Sequence, residues 1–203
     1  MRTIGILIFN DVEELDFVGP FEVFSMIDSV LNHFGKKKEV QVILISEDGH
    51  DITGKKGMRV GAHAAISDIE TLDVLVVPGG GGTRAEIKNK AVINWVKTIS
   101  KSCEWVTSVC TGSFILAKAG LTKGKKLSTH WGAFEEFKRL GLEGELIPEV
   151  RYVRDGKVVT SAGVSAGIDM ALWITGQMFD PAFARAVQRA MQYDPAPPYA
   201  GDV

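Results

Sequence analysis

The stretch Glu104–Ala117, which reads EWVTSVCTGSFILA, decides the fold because a β-prone apolar run meets a helical pattern within it. Residues 104–108 have the continuous apolar character of a buried parallel strand, and residues 113–119 continue as a helix that Gly120 ends. Only Cys110 and Thr111 are left to turn the chain. So abrupt a strand-to-helix turn is a nucleophile elbow, which holds the side chain at its apex clear of both elements.

The cysteine at this apex has the surroundings of a reactive thiol. Cys110 lies beside the first turn of the following helix, whose free amide N–H groups and partial positive charge favour a thiolate. The alternative is that Cys110 is a small buried hydrophobe, as most free cysteines are. Cys103 lies about 23 Å away along the same strand at ~3.3 Å per residue. A disulfide needs Cα atoms within about 7 Å, so we expect two free thiols, with Cys103 serving only packing.

Composition narrows the class of protein. The chain has 203 residues, 45% of them hydrophobic and 24% charged, which predicts one globular domain spanning residues 1–203. A net charge of −2 and no basic cluster beyond Lys36–Lys38 argue against nucleic-acid binding. No run reaches the roughly 18 apolar residues of a membrane span. The short apolar start, Met1–Phe9, is typical of a core strand rather than a signal peptide, so we expect a cytoplasmic protein that binds no membrane.

Strands alternate with helices along the chain, which predicts a three-layer α/β sandwich with a mainly parallel sheet and helices on both faces. We expect a hairpin excursion within residues 43–63 and a second hairpin over residues 150–161. The predicted strands are 3–9, 39–46, 72–77 and 104–108, with a short one at 126–129. The first predicted helix begins at Pro20, and the others cover residues 89–101, 113–119, 131–140, 165–178 and 181–192. The proline-rich segment 193–199 is expected to lie over the surface or a neighbour.

One segment in the first excursion has the glycine and lysine spacing of a phosphate-binding loop. Gly49–Lys55 reads GHDITGK, but Lys56 follows in place of the Ser or Thr that would bind a metal ion. We interpret the segment as a hairpin turn. The first strand is likewise not followed by the glycine pattern of a dinucleotide site.

Ligands of such sheets bind beyond the carboxyl ends of the strands, and three loops are predicted to converge there, at residues 11–18, 78–83 and 109–112. The glycines after Pro78 allow a backbone to approach a bound group closely and to aim N–H groups at it, so this loop is a candidate oxyanion hole. The alternative is a flexible turn. His130, near a helix start, is a further candidate for the site, although a lone histidine is more often structural.

These loops, in this order, resemble the ThiJ/PfpI superfamily, a branch of the class I glutamine amidotransferase-like, flavodoxin-like fold. Two positions favour its isonitrile hydratase branch, because peptidase-like and glyoxalase-like members usually place His after the cysteine and Glu in the acidic loop. This chain has Thr111 and Asp16 there. The resemblance rests on the segments 14–23 (ELDFVGPFEV), 77–80 (VPGG), 109–113 (VCTGS), 160–169 (TSAGVSAGID) and 193–198 (YDPAPP).

The resemblance implies a hydro-lyase that adds water to an isonitrile and gives an N-substituted formamide. Cys110 would form a thioimidate and Asp16 would carry the protons, with Thr111 adding a hydroxyl donor. Gly79, Gly80 and Thr111 would form the oxyanion and substrate-binding site. The resemblance implies a homodimer with a small-molecule isonitrile as substrate, and it calls for no metal ion or organic cofactor.

Other functions remain open on the same scaffold. Cys110 could instead be oxidised in a redox sensor or stress-response protein, since the elbow serves both chemistries. The chain could also be a ligand-sensing module, like the N-terminal half of AraC-type regulators. The absence of a basic face in the sequence argues against this function. A hydrolase or amidotransferase lacks the His beside Cys110. The acid is also open, because Glu13, Glu14 and Glu22 are close to Asp16 in the sequence.

Overall fold

A computed structural model describes residues 1–195, and a seven-stranded sheet forms its centre. The sheet strands are Arg2–Leu7 (β1), Val40–Ser46 (β2), Ala64–Ala65 (β5), Val74–Val77 (β6), Trp105–Val109 (β7), Tyr152–Asp155 (β10) and Val158–Ser161 (β11). They lie in the order β10-β11-β7-β6-β1-β2-β5. Two smaller pairs are Ile52–Thr53 (β3) with Arg59–Val60 (β4), and Lys126–Leu127 (β8) with Glu145–Leu146 (β9). The helices are Glu14–His33 (α1), Thr83–Glu86 (α2), Lys90–Ile99 (α3), Gly112–Lys118 (α4), Phe134–Arg139 (α5), Ala166–Met178 (α6) and Pro181–Ala190 (α7).

The central sheet is parallel except for the edge strand β10, which pairs antiparallel with β11. Its middle strands β1, β6 and β7 are almost wholly buried, which explains their uninterrupted apolar sequences. Helix α1 packs with α6 and α7, while α3 packs with α4. The predicted α/β sandwich is confirmed. Parallel pairing also brings the carboxyl ends of β1, β6 and β7 to one edge, where the three predicted loops begin.

Helix α1 begins at Glu14, so the prediction that it begins at Pro20 is wrong. Pro20 lies inside the helix, and tertiary packing explains why the chain tolerates it there. A Cβ on Gly19 would lie 2.9 Å from Ile168 of α6, and a Cβ on Gly167 would lie 3.3 Å from the Pro20 ring. The Gly-Pro pair therefore fits α1 closely against α6. The earlier start has a functional consequence, because it places Asp16 on the first turn of a helix and not in a loop.

Smaller differences from the sequence predictions concern short elements. The segment with phosphate-loop spacing contains β3 and the start of the turn that follows it, and β3 pairs antiparallel with β4, so the predicted hairpin is confirmed. Residues 64–65 add a parallel edge strand to β2 that was not predicted. The hairpin of β10 and β11 turns at Gly156, whose φ is 64°. Most of the proline-rich segment 193–199 lies outside the described residues. None of the described helices is long and apolar enough to span a membrane.

Candidate active site

The predicted elbow is present between β7 and α4, and Cys110 is its apex. Cys110 has a φ of 55°, a left-handed conformation that is uncommon for a residue with a side chain. Its backbone is held on both sides: the N–H donates to the Ala162 carbonyl at 3.0 Å, and the carbonyl accepts from the Thr129 hydroxyl at 2.9 Å. The side chain is buried, with 7% of the residue exposed. These bonds fix the sulfur at the end of the sheet.

The Asp16 carboxyl lies against this thiol. Asp16 is 0% exposed, and its Oδ2 accepts a hydrogen bond from the Gly79 N–H at 2.9 Å. Burial raises the pKa of Asp16 to about 7, with a further rise from the charge of Glu13, while hydrogen bonds from Gly79 and Cys110 oppose it. Oδ1 has no partner among the described residues. Asp16 is therefore a carboxyl that exchanges a proton near neutral pH and has one oxygen free to do so.

The protonation state of Cys110 differs from the sequence prediction. Burial raises the pKa of the Cys110 thiol to about 12, and the negative charge of Asp16 adds to the rise. Hydrogen bonds from the Thr111 N–H and hydroxyl and from the Val164 N–H act in the opposite direction. The prediction that the helix start favours a thiolate at Cys110 is thus wrong, because desolvation and a neighbouring carboxylate outweigh the donors.

The glycine loop after β6 brings its backbone close to Asp16 and Thr111. The Gly79 N–H is occupied by Asp16, and the Gly80 N–H donates to the Thr111 hydroxyl at 3.1 Å. A Cβ on Gly79 would lie 2.6 Å from the Thr111 nitrogen, and a Cβ on Gly80, whose φ is 129°, would lie 2.4 Å from the Glu13 nitrogen. Two of the three N–H groups proposed for an oxyanion hole thus have protein acceptors already. The oxyanion assignment stays a prediction, and these glycines bring loop, acid and elbow into contact.

Thr111 connects the elbow to a polar network under the glycine loop. Its hydroxyl accepts from the Gly80 N–H and lies 3.2 Å from the Thr83 hydroxyl oxygen. Thr83 donates to the Gly80 carbonyl at 2.8 Å, and Arg84 donates to the same carbonyl at 2.9 Å. The Arg84 guanidinium also pairs with Glu136 of α5. The network fixes Gly80 from three directions.

Replacing Thr111 with valine is expected to destabilise the fold by about 1–3 kcal/mol, because the buried Gly80 N–H loses its acceptor while the side-chain shape is kept. The free energy of unfolding in urea measures the effect. Thr83→Val is the matched control, and it should cost less because Arg84 still donates to the Gly80 carbonyl. Equal stability of Thr111→Val and wild type would contradict this account of the network.

The other candidates from the sequence occupy distinct places. His130 reaches the site but its Nδ1 accepts from the Gly132 N–H at 3.1 Å, so it caps the turn that follows. Glu13 also borders the site and pairs with Lys56 at 2.5 Å. Glu14 is buried under the β3–β4 hairpin, where its Oε1 accepts the Lys56 N–H. Glu22 is exposed on α1, away from these contacts. Asp16 is therefore the carboxyl that faces the sulfur.

The site opens to solvent through a cleft of about 250 Å³. A larger groove, of about 740 Å³, lies between α1 and α7 and includes neither Cys110 nor Asp16. Of these two, the smaller cleft is the one that contains Cys110. It is lined by Glu13, Lys55, Gly80, Arg84, Cys110, Thr111, His130, Trp131, Gly132, Ala133 and Val164.

Comparison with known proteins identifies the family of this chain. Residues 2–177 match the DJ-1/PfpI family. The chain belongs to the DJ-1/PfpI family. It is 34% identical to the isonitrile hydratase of Pseudomonas putida over 97% of this chain and 80% of that protein. It is 32% identical to protein DJ-1alpha of Drosophila melanogaster over 59% of this chain and 54% of that protein. A ThiJ/PfpI family protein from Pseudomonas syringae superposes with a TM-score of 0.86 at 28% identity, covering 98% of this chain and 77% of that one.

Several residues of this DJ-1/PfpI site were missed by sequence reasoning. Val164 has a φ of 50°, a strained value for a β-branched residue, and so directs its N–H at Cys110. Lys55, Arg84 and Trp131 come from three separate segments and meet only in the folded cleft. Their sequence contexts, a turn lysine, a short helix and a tryptophan after His130, carry no catalytic signal. Within residues 1–195, no cluster of three His, Cys, Asp or Glu side chains is arranged to hold a metal ion.

Proposed function

We propose that this chain hydrates isonitriles to N-substituted formamides. The observation that carries the proposal is the pairing of a thiol at a strained elbow with a fully buried carboxyl. The pKa of this carboxyl is about 7, and its Oδ1 has no hydrogen-bond partner within residues 1–195. The 34% identity to an isonitrile hydratase over nearly the whole chain supports the same chemistry. A thiol and an adjacent proton carrier are what the addition of R–N≡C requires, since its terminal carbon accepts first a nucleophile and then a proton.

In the first step Cys110 adds to the terminal carbon of the isonitrile. The pKa of about 12 means that little thiolate exists beforehand, so the Asp16 carboxylate takes the thiol proton as the sulfur attacks. Asp16 then donates this proton to the same carbon, whose electron pair forms the new C–H bond. The product is a thioimidate, R–N=CH–S–Cys110, and Asp16 is again a carboxylate. Hydrogen bonds from Thr111 and Val164 to the sulfur stabilise the negative charge that passes through it.

In the second step water adds to the thioimidate carbon. Asp16 accepts a proton from the water and passes it to the nitrogen, which receives the electron pair of the C=N bond. The resulting R–NH–CH(OH)–S–Cys110 collapses as the hydroxyl proton returns to Asp16 and the C–S bond breaks. The departing sulfur takes that proton, which restores the thiol and releases R–NH–CHO. The same carboxyl thus serves both steps, which matches a pKa close to the working pH.

The direct test is a steady-state assay that follows formamide formation from cyclohexyl isocyanide with untreated protein. Turnover that continues through many catalytic cycles supports the proposal. A protein that is alkylated at Cys110 by reagents but turns over no isonitrile would exclude it.

The pH dependence of kcat/KM tests the role of Asp16. Because the first step needs Asp16 ionised and Cys110 protonated, kcat/KM is expected to rise with pH, with a midpoint near the pKa of about 7, and then to level off. Glu13→Gln should move the midpoint to lower pH, since the Glu13 charge raises the pKa of Asp16 and Lys56 lowers it. A rate that falls above pH 7 would instead require a protonated Asp16 and would contradict the base role.

A second candidate function is a cysteine-based redox sensor or stress-response protein, which the similarity to DJ-1alpha supports. Oxidation proceeds through the thiolate, and burial together with Asp16 raises the pKa of Cys110 to about 12. This favours the hydratase over the sensor. Fast, stoichiometric oxidation of Cys110 by peroxide in a protein without isonitrile turnover would reverse that order.

A further inference from the structure

The cleft carries one positive charge that no described side chain neutralises. Lys55 lines it, and within residues 1–195 its ammonium group has neither an ion-pair partner nor a hydrogen bond. The other charged groups of the rim are compensated: Glu13 pairs with Lys56 at 2.5 Å, and Arg84 pairs with Glu136. Asp16 is fully enclosed beside the thiol, and the rim charges that act on it are those of Glu13 and Lys56.

Lys55 is held in place through its backbone. Its N–H donates to the Val12 carbonyl at 2.8 Å, and the Gly54 N–H before it donates across the hairpin to Met58 at 2.8 Å. The next residue, Lys56, donates its N–H to Glu14 at 2.5 Å and its ammonium group to Glu13. Of these two adjacent lysines, Lys56 therefore pairs with the acidic start of α1, and Lys55 borders the cleft.

A large aromatic side chain from a different segment borders the same cleft. Trp131 is 83% exposed, although tryptophan is usually well buried, and its ring lies 5.5 Å from that of His130. His130 accepts a hydrogen bond at Nδ1, which leaves Nε2 as the ring nitrogen that can donate. Ala133 and Val164 add apolar surface. The cleft therefore combines a flat aromatic surface with donors and a free cation.

We propose that the cleft selects isonitriles whose R group carries an anionic substituent, such as a carboxylate on an aromatic or other flat group. The isonitrile carbon reaches Cys110 while the anion pairs with Lys55 and the flat group lies against Trp131. This inference rests on the proposed hydration for the identity of the reacting group. The selection for an anion depends only on Lys55, and it can be measured without turnover.

The first experiment compares alkylation of Cys110 by iodoacetate, which is anionic, with alkylation by iodoacetamide, which is neutral and of similar size. Mass spectrometry of the peptide that contains Cys110 gives both second-order rate constants. The ratio of iodoacetate to iodoacetamide rates is expected to fall about fivefold in Lys55→Gln, the size of an exposed ion pair. Lys37→Gln, which removes the same charge from an exposed loop, should leave the ratio unchanged. Added salt at about 0.5 M should shrink the difference between wild type and Lys55→Gln.

The second experiment uses 4-isocyanobenzoate and its methyl ester as a charged and a neutral substrate. Lys55→Gln is expected to lower kcat/KM for the acid about fivefold and to leave the ester unchanged. An equal effect on both substrates, or an unchanged alkylation ratio, would overturn the inference while leaving the hydratase proposal standing. If the protein turns over no isonitrile but its alkylation ratio depends on Lys55, hydration would be excluded and the anion site supported.

Discussion

Replacing Cys110 with alanine is expected to abolish isonitrile turnover, with a loss of at least about 10⁴-fold, while the fold is kept. The loss follows because no other group in the cleft can form the thioimidate. The fold should survive because alanine has the same Cβ as cysteine at the strained φ of 55°, and the backbone bonds to Ala162 and Thr129 remain. Initial rates of formamide formation measure the first effect, and thermal unfolding followed by circular dichroism measures the second.

Cys103 provides the control for this experiment. It lies just before β7, at the end of the strand away from the elbow, where burial raises the pKa of its thiol to about 11 and the Ile99 carbonyl lies 3.4 Å from its sulfur. Cys103→Ala should therefore retain most of the activity. Loss of turnover in Cys103→Ala with full activity in Cys110→Ala would overturn the nucleophile assignment.

The elbow could be predicted from sequence because its causes are local. A strand and a helix have different apolar periods, and their junction in Glu104–Ala117 leaves Cys110 at the turn whatever the rest of the chain does. The strands of the parallel sheet could likewise be predicted from apolar runs. Because parallel strands have their carboxyl ends at one edge, three loops could be placed there. The Gly19–Pro20 pair led to a wrong prediction of where α1 begins. The pair is explained by tertiary packing, because it fits α1 closely against α6.

The charge state of the site could not be predicted in this way. A helix start beside Cys110 indicates a thiolate, but the pKa depends on how deeply the sulfur is buried and on a carboxyl from a segment almost 100 residues earlier. The positions of Val164 and Lys55 in the site could not be predicted either. A valine side chain gives no indication of a strained backbone, and Lys55 reaches the cleft only because the β3–β4 hairpin places it there. Sequence thus located the cysteine and the carboxyl that meet in the cleft, and three-dimensional packing determines their protonation.

Replacing Asp16 with asparagine is expected to separate function from stability. Turnover should fall by about 10²–10⁴-fold, since asparagine cannot carry the proton between sulfur and carbon. Stability should change in the opposite direction above pH 7, where wild type must keep an ionised carboxyl in a site that is 0% exposed. Asparagine can still accept the Gly79 N–H through its amide oxygen, and it carries no charge. The variant should therefore be inactive and, at alkaline pH, more stable than wild type.

The sign and the pH window of this stability effect follow from the pKa of Asp16. Folding raises the pKa from 3.8 to about 7, so the folded protein binds the proton more tightly than the unfolded chain. The associated stability is fully present below pH 4 and is lost as the pH rises to 7. At ~1.4 kcal/mol per pH unit, Asp16→Asn should gain about 3 kcal/mol over wild type between pH 5 and pH 8. Urea unfolding at both pH values measures it, with Glu22→Gln on the exposed face of α1 as control. A gain that does not grow with pH would mean that Asp16 is not the buried, proton-exchanging carboxyl on which both catalytic steps depend.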